Sequence, residues 1–492
     1  MRNERATARE PSGRTRRAFF GALSALAATA ATAEAQLRAP TTNRPTVLPD
    51  AELKLLRRIT NGITAQSISD VHGLGYDGYI EWQLNPAAID DGECDQKLMA
   101  YPLIGVATPQ LYAQDSGMIQ AQLIESTILR AVYSKRQLFE RMVEFWTDHF
   151  NTDINTVGIL KVADVRDVLR AHALTTFMQM LHRQASSPAM MNRLNTQQNS
   201  RTRPNQNFAR EVMELHTLGV NGGYTQQDVV EVARCFTGWR YVTTVNDPNR
   251  GLFFFNQNQH DTGTKLVLGH TITSNGVNEG MTVLQILNAH PSTHRFVSRK
   301  LLRWFVDYEP SDAMVTDVAE TFRQTDGDLK AVVRRVLAFE NMRWAPPLFK
   351  RPLHYIASAI RAVNGNVTRY DSLRYNWLAG MGHVPFNWNP PNGYPHAFEY
   401  WGTLVLPRWN FAASLPAGSV GGVSVDSAAL IAGANTAQRI ADRIDLALFG
   451  GEMPPADKAA LVAYLRPDPV TSNTRIRDAI GLAIGSPAFH WY

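Results

Sequence analysis

Apolar residues return at helical spacing along most of this chain of 492 residues, and that period limits its fold more than any other feature. Leu329, Val332, Val333, Val336 and Leu337 form an i, i+3, i+4, i+7, i+8 stripe behind a Gly327-Asp328 start signal. Comparable stripes run through 51–59, 122–133, 136–150, 207–218, 226–236, 294–306, 312–323, 352–363, 436–448, 456–465 and 473–485. Strand signals are few. Leu252–Asn256 and Lys265–Gly269 flank the turn-rich 258–263, and together they predict one hairpin. The fold class expected is therefore mainly α: a multi-helix bundle body with a small β insertion near 240–275 and long irregular loops. The polar stretch 185–206 predicts a mobile surface loop. Residues 380–402, with Pro385, Pro390, Pro391 and Pro395, cannot continue a helix. No repeat of 20–50 residues is present, which argues against a solenoid.

Two stripes carry a histidine where a Leu belongs. Leu138, Met142, Phe145 and Trp146 continue onto His149, and Phe208, Val212 and Leu215 continue onto His216. A buried imidazole needs partners for both ring nitrogens, because an unpaired buried polar group costs roughly 1–3 kcal/mol. A carbonyl, a carboxylate or a metal would serve. His260, in the loop of the expected hairpin, is a third imidazole that could fold over the helix ends. Three neutral imidazoles, or two with a carboxylate, suit zinc, copper or non-haem iron with an open position. Glu211 and Glu214 lie about 140–160° around an ideal helix from His216, and Arg210 is spaced to pair with Glu214. Asp261, in Asp261-Thr262-Gly263, is equally a turn former. His290-Pro291 and His294 read as helix capping.

Bulk properties exclude some classes. Six of the 49 basic and three of the 44 acidic residues fall in the first 35 positions, which leaves the remainder at a net +2. Nucleic-acid binding would want a strong basic face. Residues 1–35 read as a twin-arginine signal peptide, with Arg16-Arg17-Ala18-Phe19-Phe20, a mildly apolar stretch and an Ala33-Glu34-Ala35 cleavage site. A single periplasmic or secreted chain, 36–492, is expected after processing, with no integral membrane segment. Cys94 and Cys235 are too few for a disulfide scaffold or a cysteine-rich metal site. The chain has no Gly-x-Ser-x-Gly elbow, no His-Glu-x-x-His, no P-loop and no dinucleotide fingerprint. Phe386, Trp388, Tyr394, Phe398, Tyr400 and Trp401 lie among prolines, where a rigid rim could stack on a sugar or simply pack into the core.

At several of these motifs the sequence resembles the bacterial domain of unknown function 1800 family. The residues concerned are Phe145-Trp146-Thr147-Asp148-His149-Phe150, Arg210-Glu211 with Glu214-Leu215-His216-Thr217-Leu218-Gly219, and Gly223-Tyr224-Thr225-Gln226. His260-Asp261-Thr262-Gly263, Lys350-Arg351-Pro352, Met381-Gly382-His383 and Pro390-Pro391-Asn392-Gly393 continue the likeness. It runs from about residue 50 to the end. Many members carry Gln where His383 stands, and Gly-Trp-Pro where this chain has Asn392-Gly393-Tyr394-Pro395. The resemblance implies a mostly helical exported protein, often encoded beside a second exported, sulfatase-like family that hints at a partner. It implies no activity.

Three expectations follow. The first is an exported metal-dependent enzyme, oxidative rather than hydrolytic. His149, His216 and His260 would ligate a divalent transition metal (copper, iron or zinc), with Asp261, Glu211 and Arg210 as acid–base or supporting groups. The second is a non-catalytic periplasmic protein that binds the sulfatase-like partner or a surface polysaccharide. The third is carbohydrate binding by the 382–401 rim.

Overall fold

The computed structural model describes residues 50–492. The twin-arginine pattern and the Ala33-Glu34-Ala35 motif lie outside the described residues. From residue 50 the structure is mainly α, with three two-stranded sheets among the described residues.

Helix α1 (Ala51–Ile59) starts at Asp50, whose carboxylate accepts from the Glu52 and Leu53 N–H groups, and it buries Leu55, Leu56 and Ile59. Helix α2 (Gln137–His149) buries Leu138, Met142, Phe145, Trp146 and His149, the stripe expected of it. Helix α3 (Gln206–Glu211) runs on into a π-helical turn, Val212–Thr217, and α4 (Gln226–Cys235) follows behind a Thr225–Asp228 capping box. After the β segments come α5 (Asn278–Ala289), α6 (Pro291–Phe305) and α7 (Pro352–Ala362). Near the C-terminus lie α8 (Ala437–Phe449), α9 (Pro455–Leu465), α10 (Asn473–Gly485) and the short α11 (Pro487–His490). The helix Leu329–Val336 has the predicted Asp328 cap and buries Leu329, Val332, Val333 and Val336 completely. His290 caps α6 by accepting from the Ser292 N–H, as its Pro291 neighbour suggested. One continuous apolar cluster reaches from Leu53 to Phe489, so the helices share a core.

Two expectations need correcting. Leu252–Asn256 and Lys265–Gly269 do not pair with each other. Strand β1 (Trp239–Tyr241) pairs with β2 (Phe253–Phe255), and β3 (Lys265–Val267) pairs with β4 (His270–Ile272). Local turn chemistry decides the second pairing: Leu268 and Gly269 both take positive φ, as a tight two-residue hairpin turn requires. The stretch 185–206 is not a loose surface loop. It contains the helix Pro188–Arg193, whose Ala189, Met190 and Met191 are in the core. For the aromatic segment near 380–402 two readings are open, and packing into the core describes three of its six aromatic residues. Phe386, Tyr394 and Trp401 are 4%, 8% and 0% exposed, and Tyr394 and Trp401 form a small second cluster with Phe349. The prolines fold this segment back onto the molecule, where the Trp401 indole donates to the Pro395 carbonyl and the Tyr394 hydroxyl to the Val384 carbonyl. Cys94 and Cys235 are free, buried thiols.

Candidate functional site

The stripe histidines do meet. His149 ends α2 with its ring packed among Phe145, Trp146 and Phe150, 6.0 Å from the His216 ring between centroids. Its Nε2 lies 3.1 Å from the His216 carbonyl, so Nε2–H donates there, while Nδ1 is buried without a partner. His216 reaches this place through the π turn, where the Thr217 hydroxyl donates to the Val212 carbonyl five residues back. The wider turn moves the buried face onto Val212, Met213, His216 and Thr217 and leaves Leu215 half-buried. Burial holds His216 down to about 3, with the charge of Lys300 adding to it. Burial, then Lys300 and His216, hold His149 well below the usual histidine range. Both rings are neutral at pH 7.

His260 does not join them. Its Nδ1 lies 2.8 Å from the Thr237 carbonyl and its Nε2 2.8 Å from the Glu279 carboxylate, which also binds the Lys265 amine at 2.5 Å. A closed ion network already satisfies this imidazole, so the three histidines do not surround one centre. Among the described residues, the one group of three His, Cys, Asp or Glu side chains with ligand atoms within 4.8 Å is Asp50, Glu52 and His72. That group is surface-lying, and its Asp50 is the α1 cap.

The proposed acid–base residues are dispersed as well. Asp261 accepts from Arg234 at 2.9 Å and from the Gly263 N–H at 2.8 Å, the turn-forming role its sequence suggested. Arg210 is exposed and donates to Gln226 at the start of α4 rather than pairing with Glu214. Glu211 is half-buried, and burial followed by repulsion from Glu214 raises its carboxyl.

The opposite side of the α2 terminus holds an ionic cluster. Arg351 donates to Asp148 at 2.5 Å and contacts the His383 Nε2 at 2.9 Å, while its guanidinium lies between the Trp304 and Tyr394 rings. Arg141 pairs with Glu144 at 2.6 Å one turn earlier on the helix. A cavity of about 50 Å³ lies among these groups, room for water rather than for a substrate. Gly393 explains the double-proline motif: it has φ +75°, and a Cβ there would sit 2.3 Å from the Asp148 carbonyl oxygen.

A largely apolar space that could hold a substrate lies beside Lys350, the residue before Arg351. A cavity of about 670 Å³ opens between α1, α7, α8, α9 and α11. Its walls are largely apolar and include Leu448, Phe449, Phe489 and Trp491. Its polar groups are few. Glu452 is tied to Arg57 at 2.6 Å, whereas Lys350 and Asp457 form no ion pair among the described residues.

Local folding holds Lys350 in place. Its N–H donates to the His490 carbonyl at 2.8 Å and its carbonyl accepts from Arg408 at 2.7 Å, while Leu348 and Tyr492 exchange two main-chain bonds. The Lys350 amine lies 3.6 Å from the centroid of Phe489. Burial, then the charges of Arg57 and Arg408, pull it well below the usual lysine range. His354, one turn into α7, is buried with both ring nitrogens unpartnered, its ring 4.3 Å from that of Tyr492. Burial raises the Asp457 carboxyl. A mostly apolar cavity of this size with a few perturbed polar groups is the usual form of a small-molecule site.

The stripes gave no warning of this cavity. One local signal was present: Lys350 and Arg351 immediately precede Pro352, the first residue of α7. Two cations at the positive end of a helix dipole oppose the normal preference for acids there.

With this geometry in view, the chain matches over residues 54–491 the family described as protein of unknown function (DUF1800), and it belongs to that family. No curated protein matches it, and no solved structure does.

Proposed function

We propose that the chain is an exported enzyme that takes a small, largely apolar molecule into the cavity beside Lys350. The observation that carries this reading is a largely apolar cavity of about 670 Å³ lined by a lysine and a carboxyl that form no ion pair among the described residues. Export is supported by the twin-arginine pattern near the N-terminus. Binding of the apolar fluorophore N-phenyl-naphthylamine tests the cavity. Saturable binding that the mouth-filling Ala456→Trp abolishes is expected; no binding, or binding indifferent to that change, overturns the reading.

Metal-dependent oxidation at His149 and His216 is the second reading. It is favoured by the orphaned Nδ1 of His149, whose Nε2–H is pinned on a carbonyl as in many metal-ligating histidines. Lys300 weighs against it, since its positive charge would repel a divalent ion. Copper, iron or zinc retained stoichiometrically by tag-free protein and lost in His216→Ala would support the reading. Metal-free protein that cannot be reconstituted would end it. A sulfatase-like exported partner or a surface polysaccharide rests on the family resemblance alone, and co-purification from the periplasm would test it. No helix among the described residues is long and apolar enough to cross a membrane.

A further inference from the structure

We propose that the Lys350 amine captures an apolar aldehyde or ketone in this cavity as a covalent imine. The inference rests on the cavity reading above and adds a reaction to it.

Four observations converge on this amine. It is buried in an apolar wall against Phe489, with no ion-pair partner among the described residues. The charged groups that act on it, Arg57 and Arg408, are cations. It stands just before the first turn of α7, where the helix dipole disfavours a further positive charge. The space beside it accommodates a drug-sized molecule. Burial, the two arginines and the helix dipole disfavour the ammonium form more than the Phe489 ring face favours it, and a neutral amine beside an apolar cavity is a nucleophile. The paired lysines differ sharply: the Lys265 amine lies on the Glu279 carboxylate and the Lys161 amine on that of Asp164.

The chemistry balances without an oxidant or reductant. The amine lone pair adds to the carbonyl carbon, and the carbonyl oxygen takes up a proton to give a carbinolamine. That intermediate then breaks its C–O bond and expels one water, made of the former carbonyl oxygen and the equivalent of the two hydrogens that nitrogen has lost. Departure of the hydroxyl needs a proton, which solvent supplies through the opening of the cavity. The mostly apolar walls restrict the substrate to a carbonyl compound with an aryl or alkyl body.

Reductive trapping tests this on the full chain. Wild-type protein is incubated at pH 7 with naphthaldehyde and cyanoborohydride, and the adduct is located by peptide mass mapping. At that pH an ordinary lysine has fewer than about one amine in a thousand neutral. Burial leaves Lys54 and Lys300 at about 8, so Lys350 is expected to be labelled several-fold faster than those two and at least about tenfold faster than the other six of the nine lysines. Ala456→Trp should suppress that label, and Lys350→Arg should remove it without increasing labelling elsewhere. Labelling spread evenly over exposed lysines overturns the proposal. So does an unlabelled Lys350 when naphthaldehyde still displaces the fluorophore; the cavity reading then survives and only the imine falls. Failure of the fluorophore to bind removes both.

Discussion

The His260 and Lys350 regions both bury a basic group, yet they treat it in opposite ways. Around His260 the charged groups are all met: Thr237 and Glu279 take the ring, the Lys265 amine lies on Glu279, and Arg234 holds Asp261. Around Lys350 the neighbours are aromatic rings and other cations, with open space alongside. A complete network indicates a structural role, because nothing remains for a ligand to satisfy. An incomplete one beside a cavity is a candidate for chemistry.

The contrast is easiest to break by deleting one charge from each region. Glu279→Ala leaves Lys265 buried without its counter-ion, and urea denaturation should show a loss of about 3–5 kcal/mol. Lys350→Met removes an amine that has no counter-ion among the described residues to strand, so the same measurement should give a change of less than about 1 kcal/mol or a gain. Comparable losses from both would mean that Lys350 has a partner after all.

Gly393→Ala should cost about 2 kcal/mol, since the new methyl meets the Asp148 carbonyl at a positive φ. The thermal midpoint reports it, and an unchanged midpoint would show that the 390–395 turn yields freely. Acid then sharpens the comparison from the histidine side. His216 is held at about 3 in the folded state, against about 6.5 unfolded, so the unfolded chain alone takes up its proton between those values. Stability therefore falls as pH drops below 6.5, by about 2 kcal/mol at pH 5 from this residue. Urea curves at pH 7 and pH 5 should differ by less in His216→Phe than in wild type.

Much of the helical framework was legible because burial on one helix face imposes its own period. The stripes ending in His149 and His216 correctly placed both rings inside. What the period could not convey was the π turn, which re-aims His216, or the partners waiting for His260 on α5. The β insertion was located, but its pairing was misread. Leu268-Gly269 closes its own hairpin, and nothing about a Leu announces positive φ. Residues 185–206 looked like a loop because Ala189, Met190 and Met191 are too short a run to outweigh the surrounding Asn and Gln. The cavity was the least legible part. Its walls come from widely separated stretches, from Arg57 through Lys350 and Phe449 to Tyr492, and no window along the chain contains them together.

The pairing of Leu348 and Lys350 with His490 and Tyr492 gives that cavity an unusual dependence on folding order. Phe489, Trp491 and Tyr492 form one of its sides, so the chamber exists only once two stretches roughly 140 residues apart have closed on each other, a slow class of contact. A molecule that fits the finished chamber has nothing equivalent to grip in a partly assembled chain. Its occupancy would accordingly select for completed molecules and, by mass action, protect them against unravelling from that seam.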